Sequence, residues 1–220
     1  TDQQTLNDVF AHQFPPFTKG GIQGWFDVIC HLAAQAGARY SIDHPAEYVQ
    51  TNIQGTLNVF EAARAHNVKN IIFASSSSVY GNNPVPWSES QAVDEPINPY
   101  GASKRATELL AYTYHKLYDL NMTALRFFTV YGPWGRPDMA YFKWAAAISE
   151  GKPIDVYNNG NMKRDFTYVD DIVAGTLAAV DNPKPYKIYN LGNHQSEELG
   201  TMIALIEEAL GKKAQKNLLP

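Results

Sequence analysis

The sequence predicts an α/β chain: a doubly wound parallel sheet with helices on both faces, joined to a smaller lobe. Short continuous apolar runs recur at Phe26–Leu32, Asn70–Ala74 and Thr123–Phe127. Runs of that length suit strands buried on both faces. Amphipathic stretches alternate with them, at about Pro45–His66 and Pro99–Tyr118, and a strand–helix–strand rhythm makes a parallel sheet. A polar cluster follows each apolar run directly: HLAAQAG, then SSSSVYG, then FTVYGPWGRPD. Open parallel sheets bind their ligands at the carboxyl ends of the strands, where these clusters fall.

Taken in order, FPPFTKGGIQGW (14–25) reads as a surface insertion, because Gly and Pro punctuate polar residues there. It lacks the spacing of a phosphate-binding turn, and it precedes a strand instead of following one. In the first helix Val49, Ile53, Leu57 and Phe60 share one face. PVPWSESQAVDEPINP, rich in Pro and turn formers, is a long loop leading to the second helix. Beyond Gly151 the pattern changes: IDVYNNG is a short strand and turn, DFTYVDDIVAGTLAAV a strand entering a helix, KIYNLG a strand, and Glu197–Leu210 a helix. Asp170 and Asp171 open a helix, so capping explains them better than catalysis.

Composition narrows the class. With 45% hydrophobic and 18% charged residues the 220-residue chain can build a packed core. A net charge of −4 argues against a nucleic-acid partner, which calls for a basic face. Cys30 is the single cysteine, so no intrachain disulfide forms, and its apolar setting predicts a buried small hydrophobe. No run approaches the ~18 apolar residues of a membrane span, and Thr1 opens no signal peptide; a cytoplasmic protein without membrane contact is expected. His31 reads as a core or supporting histidine, and nothing in its spacing suggests a metal.

Two motifs carry chemistry. Tyr100-Gly-Ala-Ser-Lys104 places a phenol and an ammonium on one helix face. A free Tyr has a pKa of about 10, and a neighbouring cation favours its phenolate, making a usable general base. An exposed pair on a helix surface has the same spacing. Ser75-Ser-Ser-Ser78, at the end of a strand, can hydrogen-bond and orient a substrate hydroxyl, or satisfy the backbone of its own turn.

Together the motifs resemble the Ser-Tyr-Lys triad of the extended short-chain dehydrogenase/reductases. HLAAQAGARYS, ASSSSVYG, YGASK, LRFFTVYGPWGRPDMA and GKPIDVYNNGNMKRDFTYVDDI are similar to the UDP-glucuronate 4-epimerase family, over roughly Asp27 to Leu210. The resemblance implies a Rossmann-like NAD-binding domain over 1–150. Over 151–220 it implies a mixture of substrate-binding lobe and elements returning to the sheet. It implies Tyr100 as the base, with Lys104 as its pKa-lowering and ribose-binding partner, and Ser76 as the triad serine to within one position. Ser77, Ser78 and Thr129 would touch the sugar. Ala33, Ala34 and Gln35 would line the NAD groove, and Asn52 would reach the cofactor diphosphate region. Arg136 is the candidate for a substrate carboxylate, and Arg164 for the UDP phosphates. Without the resemblance, Arg136 could close a turn, Arg164 could be a solvated charge, and Asn52 could lie on an exposed helix face.

The implied reaction is inversion at C4 of a UDP-sugar through a transient 4-keto intermediate. UDP-glucuronate to UDP-galacturonate leads, in the service of cell-surface polysaccharide synthesis. Related dehydratases and decarboxylases carry an acidic residue at the position of Ser78, and no carboxylate occurs in this quartet. UDP-galactose and UDP-N-acetylhexosamine epimerases remain alternatives, as does an inactive remnant or binding module. Family members pair as homodimers through the helices matching 45–66 and 99–118. The family's opening GxxGxxG turn is missing from this sequence. That leads to the expectation of a fragment truncated at the N-terminus and lacking both ends, whose own activity could be lost.

Overall fold

The structure is a computed structural model and describes residues 2–11 and 26–220. The insertion read at 14–25 lies outside the described residues.

The chain divides into two compact units. The first comprises 1–127 and 174–191, the second 128–173 and 192–220. In the first, β1 (Val28–His31), β2 (Asn70–Ser76), β3 (Asn121–Phe127) and β7 (Tyr186–Leu191) form a sheet in the order β1-β2-β3-β7. Every pairing in it is parallel. Alternation along β2 fills both faces: Ile71 and Phe73 pack with Phe60, Ala111 and Met122, whereas Ile72 packs with Leu125 and Ala179. Each buried Ile, Leu, Phe or Met side chain among these contributes about 1.5–3 kcal/mol. Helices α4 (Gly55–Ala65) and α5 (Pro99–Tyr118) supply the first cluster, and α7 (Val169–Asp181) the second. Leu6 of α1 (Gln3–Ala11) also packs on the first cluster.

Helix α5 occupies the predicted interval. The sequence sets both ends: Asn98 caps it by accepting from the Gly101 N–H at 2.8 Å, and Pro99 takes the first turn. The predicted helix 45–66 is composite. It runs from α3 (Pro45–Tyr48), just after α2 (Tyr40–Asp43), through a π-helical turn at Val49–Gln54 into α4. The extra residue per turn rotates the buried face. Tyr48, Asn52 and Thr56 turn inward and Val49 is exposed; of the predicted Val49–Ile53–Leu57–Phe60 stripe, Phe60 is buried in the first cluster and Leu57 packs on it, but Val49 does not join them. Cys30 is also a correction, since it is exposed. In β1 Ile29 packs on the first cluster and Val28 on the second, whereas Cys30 lies on an exposed part of the strand.

In the second unit β4 (Thr129–Tyr131), β6 (Lys163–Tyr168) and β8 (Ser196–Glu198) form one sheet, with β4 and β6 parallel and β8 antiparallel. β5 (Ile154–Val156) pairs with β9 (Lys216–Leu218). Helices α6 (Ala140–Ser149) and α8 (Leu199–Leu210) close over a core of Trp144, Ile148, Ile154, Val156, Leu199 and Ile203. Pairing of Ser196–Glu198 with β6 delays α8 to Leu199, two residues beyond its predicted start. Among the described residues no helix is long and apolar enough to cross a membrane.

Candidate active site

At the carboxyl end of β2 the chain enters a 3₁₀ turn over Ser77–Tyr80. The Ser76 hydroxyl caps that turn by accepting from the Ser78 N–H at 3.1 Å. The N-terminal turn of α5 lies directly against it: a Cβ at Gly101 would sit 2.5 Å from the Ser78 carbonyl oxygen. Glycine inside the Tyr100–Lys104 motif is therefore a packing requirement. Gly81 ends the serine segment at φ +56°, where the Glu95 carbonyl leaves no room for a side chain.

Tyr100 is half-buried, with its ring edge-on to Tyr48 at 6.0 Å between centroids. Lys104, one turn on, is 5% exposed and donates from Nζ to the Ala74 carbonyl at 2.8 Å. Burial lowers its pKa to about 8. His31, at the end of β1, pairs through Nε2 with Thr56 Oγ1 at 3.0 Å. Burial, and then the nearby Lys104 charge, lower its pKa to about 4, so it is neutral at physiological pH.

The segment after β1 is clasped by the inward polar stripe of the composite helix. The Tyr48 hydroxyl donates to the carbonyls of Ala36 (2.9 Å) and Gly37 (2.7 Å). The Asn52 carboxamide accepts from the Gln35 N–H at 2.7 Å and donates to the Gln35 carbonyl at 3.0 Å. Its Nδ2 also donates to Ser103 Oγ at 2.9 Å, and Ser103 donates to the Tyr100 carbonyl at 2.8 Å. Asn52 is fully buried and thereby ties the Gln35 turn to the helix of Tyr100. Ala33 is exposed, and Ala34 and Gln35 are half-buried.

The structure thus gathers His31, Asn52, Ser76, Tyr100 and Lys104 in the first unit. Thr129, Arg136 and Arg164 belong to the second. Thr129 is half-buried on β4. The Arg136 guanidinium is exposed and forks onto Asp138, with contacts of 2.8 and 3.1 Å. Arg164 is exposed on β6, and its Nη1 donates to the Lys163 carbonyl at 2.9 Å. Among the described residues no group of three His, Cys, Asp or Glu could hold a metal ion.

Residues 22–192 match the family described as NAD dependent epimerase/dehydratase. The chain belongs to that family. An uncharacterized protein of Methanocaldococcus jannaschii is 54% identical over 195 residues, covering 88% of this chain and 60% of its own length. A probable UDP-glucuronate 4-epimerase of Rhizobium meliloti is 44% identical over 214 residues, covering 88% of this chain and 63% of its own length. The crystal structure of the Bacillus cereus UDP-glucuronic acid 4-epimerase, in complex with UDP-glucuronic acid and NAD, superposes with a TM-score of 0.81. It is 38% identical and covers 88% of this chain and 62% of that one. The chain therefore spans about three-fifths of the length of these relatives.

Sequence reasoning missed Tyr48 and Thr56, which support the turn after β1, and Glu108 and Arg126, which lie beneath the serine segment. Tyr48, Asn52 and Thr56 do stand at i, i+4 and i+8. That polar periodicity was the available signal, and the apolar stripe beside it obscured it. Arg126 inside the apolar run TALRF was a second.

Proposed function

We propose that this chain carries the catalytic centre of an NAD-dependent UDP-sugar 4-epimerase whose substrate is UDP-glucuronate. The observation that carries the reading is the contact of the serine turn with the first turn of α5. It sets Ser76, Tyr100 and Lys104 at one strand end. Ala33, Ala34 and Gln35 line the dinucleotide groove, and Asn52 holds its Gln35 turn. Small side chains and a braced backbone at the strand end fit such a ligand. NAD, when bound, supplies a reversible hydride acceptor.

The residues do the rest. Tyr100 takes the proton of the sugar 4-hydroxyl as C4 gives up its hydride to the acceptor, and returns that proton to the oxygen as the hydride comes back to the other face of the 4-keto sugar. Lys104 stabilises the phenolate and binds the ribose hydroxyls. Ser76 orients the reacting hydroxyl, with Ser77, Ser78 and Thr129 against the sugar. Arg164 binds the diphosphate. Arg136 receives the uronate carboxylate: its exposed pairing with Asp138 is weak enough to exchange, and its fork suits a bidentate carboxylate. The absence of any carboxylate among Ser75–Ser78 favours epimerisation over dehydration. The protein acts as a homodimer in the cytoplasm, pairing through the helices over 45–65 and 99–118. Leu109, Leu117 and Val49 are exposed on these helices.

The test is conversion of UDP-glucuronate to UDP-galacturonate with NAD by the full-length polypeptide carrying this sequence, beside a panel of UDP-sugars and Tyr100→Phe. The expected result is turnover of the uronate, reduced about a hundredfold or more in Tyr100→Phe. Turnover of a neutral UDP-sugar alone overturns the substrate assignment, and full activity in Tyr100→Phe overturns the mechanism.

A further inference from the structure

A buried ionic network lies directly beneath the proposed centre, and the mechanism above does not use it. Glu108 and Arg126 are 0% and 1% exposed. They meet as a bidentate pair, Nε to Oε1 and Nη2 to Oε2, both at 2.8 Å. Ser75 also donates to Oε1 at 2.6 Å, and Arg105 Nη1 to Oε2 at 3.2 Å. These four donors occupy the carboxylate's acceptor sites. The third guanidinium nitrogen, Nη1 of Arg126, donates to the Tyr80 hydroxyl at 2.9 Å. That hydroxyl in turn donates to Asn190 Oδ1 on β7 at 2.7 Å. The guanidinium also lies 4.8 Å from the Tyr80 ring centroid.

Burying two charges gains little or no stability over a well-packed apolar pair, so such a pair calls for another reason to be there. Its connections supply one. Glu108 follows Tyr100 and Lys104 on the same face of α5, at i+8 and i+4. Ser75 and Tyr80 bracket the segment containing Ser76, and Arg126 is the strand neighbour of Ser75. Both ends of the serine segment are thus bonded to one ion pair, and half of that pair belongs to the helix of the base.

We propose that Glu108 and Arg126 are positioning residues of the epimerase centre, fixing the serine turn in register with Tyr100 and Lys104. The inference rests on the function proposed above. The test is the double substitution Glu108→Gln/Arg126→Met, which removes both charges of the pair together and leaves Arg105 its Asp94 partner. It is made in the full-length polypeptide and read by circular dichroism, thermal midpoint and steady-state kinetics across pH. The expected result is a wild-type fold and KM within about twofold, a kcat lower by about tenfold or more, and a displaced pH–rate profile. A merely structural pair would change the midpoint and leave kcat and the profile of the folded fraction alone. Should the double variant not fold, Ser75→Ala and Tyr80→Phe each remove one tether, and each is expected to lower kcat several-fold. Wild-type kcat and pH profile in folded variants overturn this inference alone. A wild-type protein inactive on every UDP-sugar overturns the proposed function and this inference with it.

Discussion

Lys104 keeps its ammonium at a cost. Burial lowers its pKa from 10.5 to about 8, so the unfolded chain binds the proton more tightly than the folded one. Between those two values the unfolded state carries more protons, and this residue's contribution to stability rises with pH. Below pH 8 the penalty is fully present and amounts to about 3 kcal/mol. Denaturation of the wild type and of Lys104→Met, compared from neutral pH to above pH 10, should show the wild type gaining on the variant across that window. A pH-independent difference would mean that the lysine is better solvated than its 5% exposure implies. The same burial explains how the residue could serve a phenolate. In a desolvated setting, the nearest favourable arrangement for a cation is an anion beside it.

At the scale of elements, the meeting of α5 with the serine turn is governed by a missing methyl group. Gly101→Ala would push a Cβ against the Ser78 carbonyl, and backbone cannot yield as a flexible side chain does. The expected cost is about 1–3 kcal/mol of stability, with a loss of kcat larger than the loss of folded protein. Chemical denaturation beside kinetics at matched folded fraction would measure both. This element was legible in the sequence almost completely. Asn98, Pro99 and the serine cluster fix where helix and turn begin, since local capping and turn chemistry are written in adjacent residues. The composite helix was not. Its apolar residues repeat at helical spacing, but one π-helical turn rotates the register by a residue and brings Tyr48, Asn52 and Thr56 inward. A π turn follows from what the helix packs against, so periodicity within the helix could not reveal it.

For the whole molecule, strand–helix alternation gave the parallel sheet and helices on both of its faces. What it could not give was the discontinuous division, in which residues 174–191 complete the first unit after the chain has built part of the second. β7 pairs with β3 across some sixty intervening residues, and an apolar run such as KIYNLG does not say which sheet it joins. The exposure of Cys30 has a similar cause: whether a given strand residue is covered depends on what the rest of the chain packs over it. The exposed Leu109 and Leu117 of α5 belong to this scale too. If they pair two copies of the protein, Leu109→Glu/Leu117→Glu should sediment as monomer while the wild type sediments as dimer. A wild type that sediments as monomer would end the homodimer proposal.

The polar stripe of the composite helix grips the turn after β1 by its main chain, at Gln35, Ala36 and Gly37. The shape of that turn is thus encoded in the helix, some dozen or more residues further along, and not in the turn's own side chains. Variation at Ala33, Ala34 and Gln35 can then proceed without loosening the scaffold. If those three positions line the proposed dinucleotide groove, a combinatorial library there becomes a direct way to recode which dinucleotide it accepts.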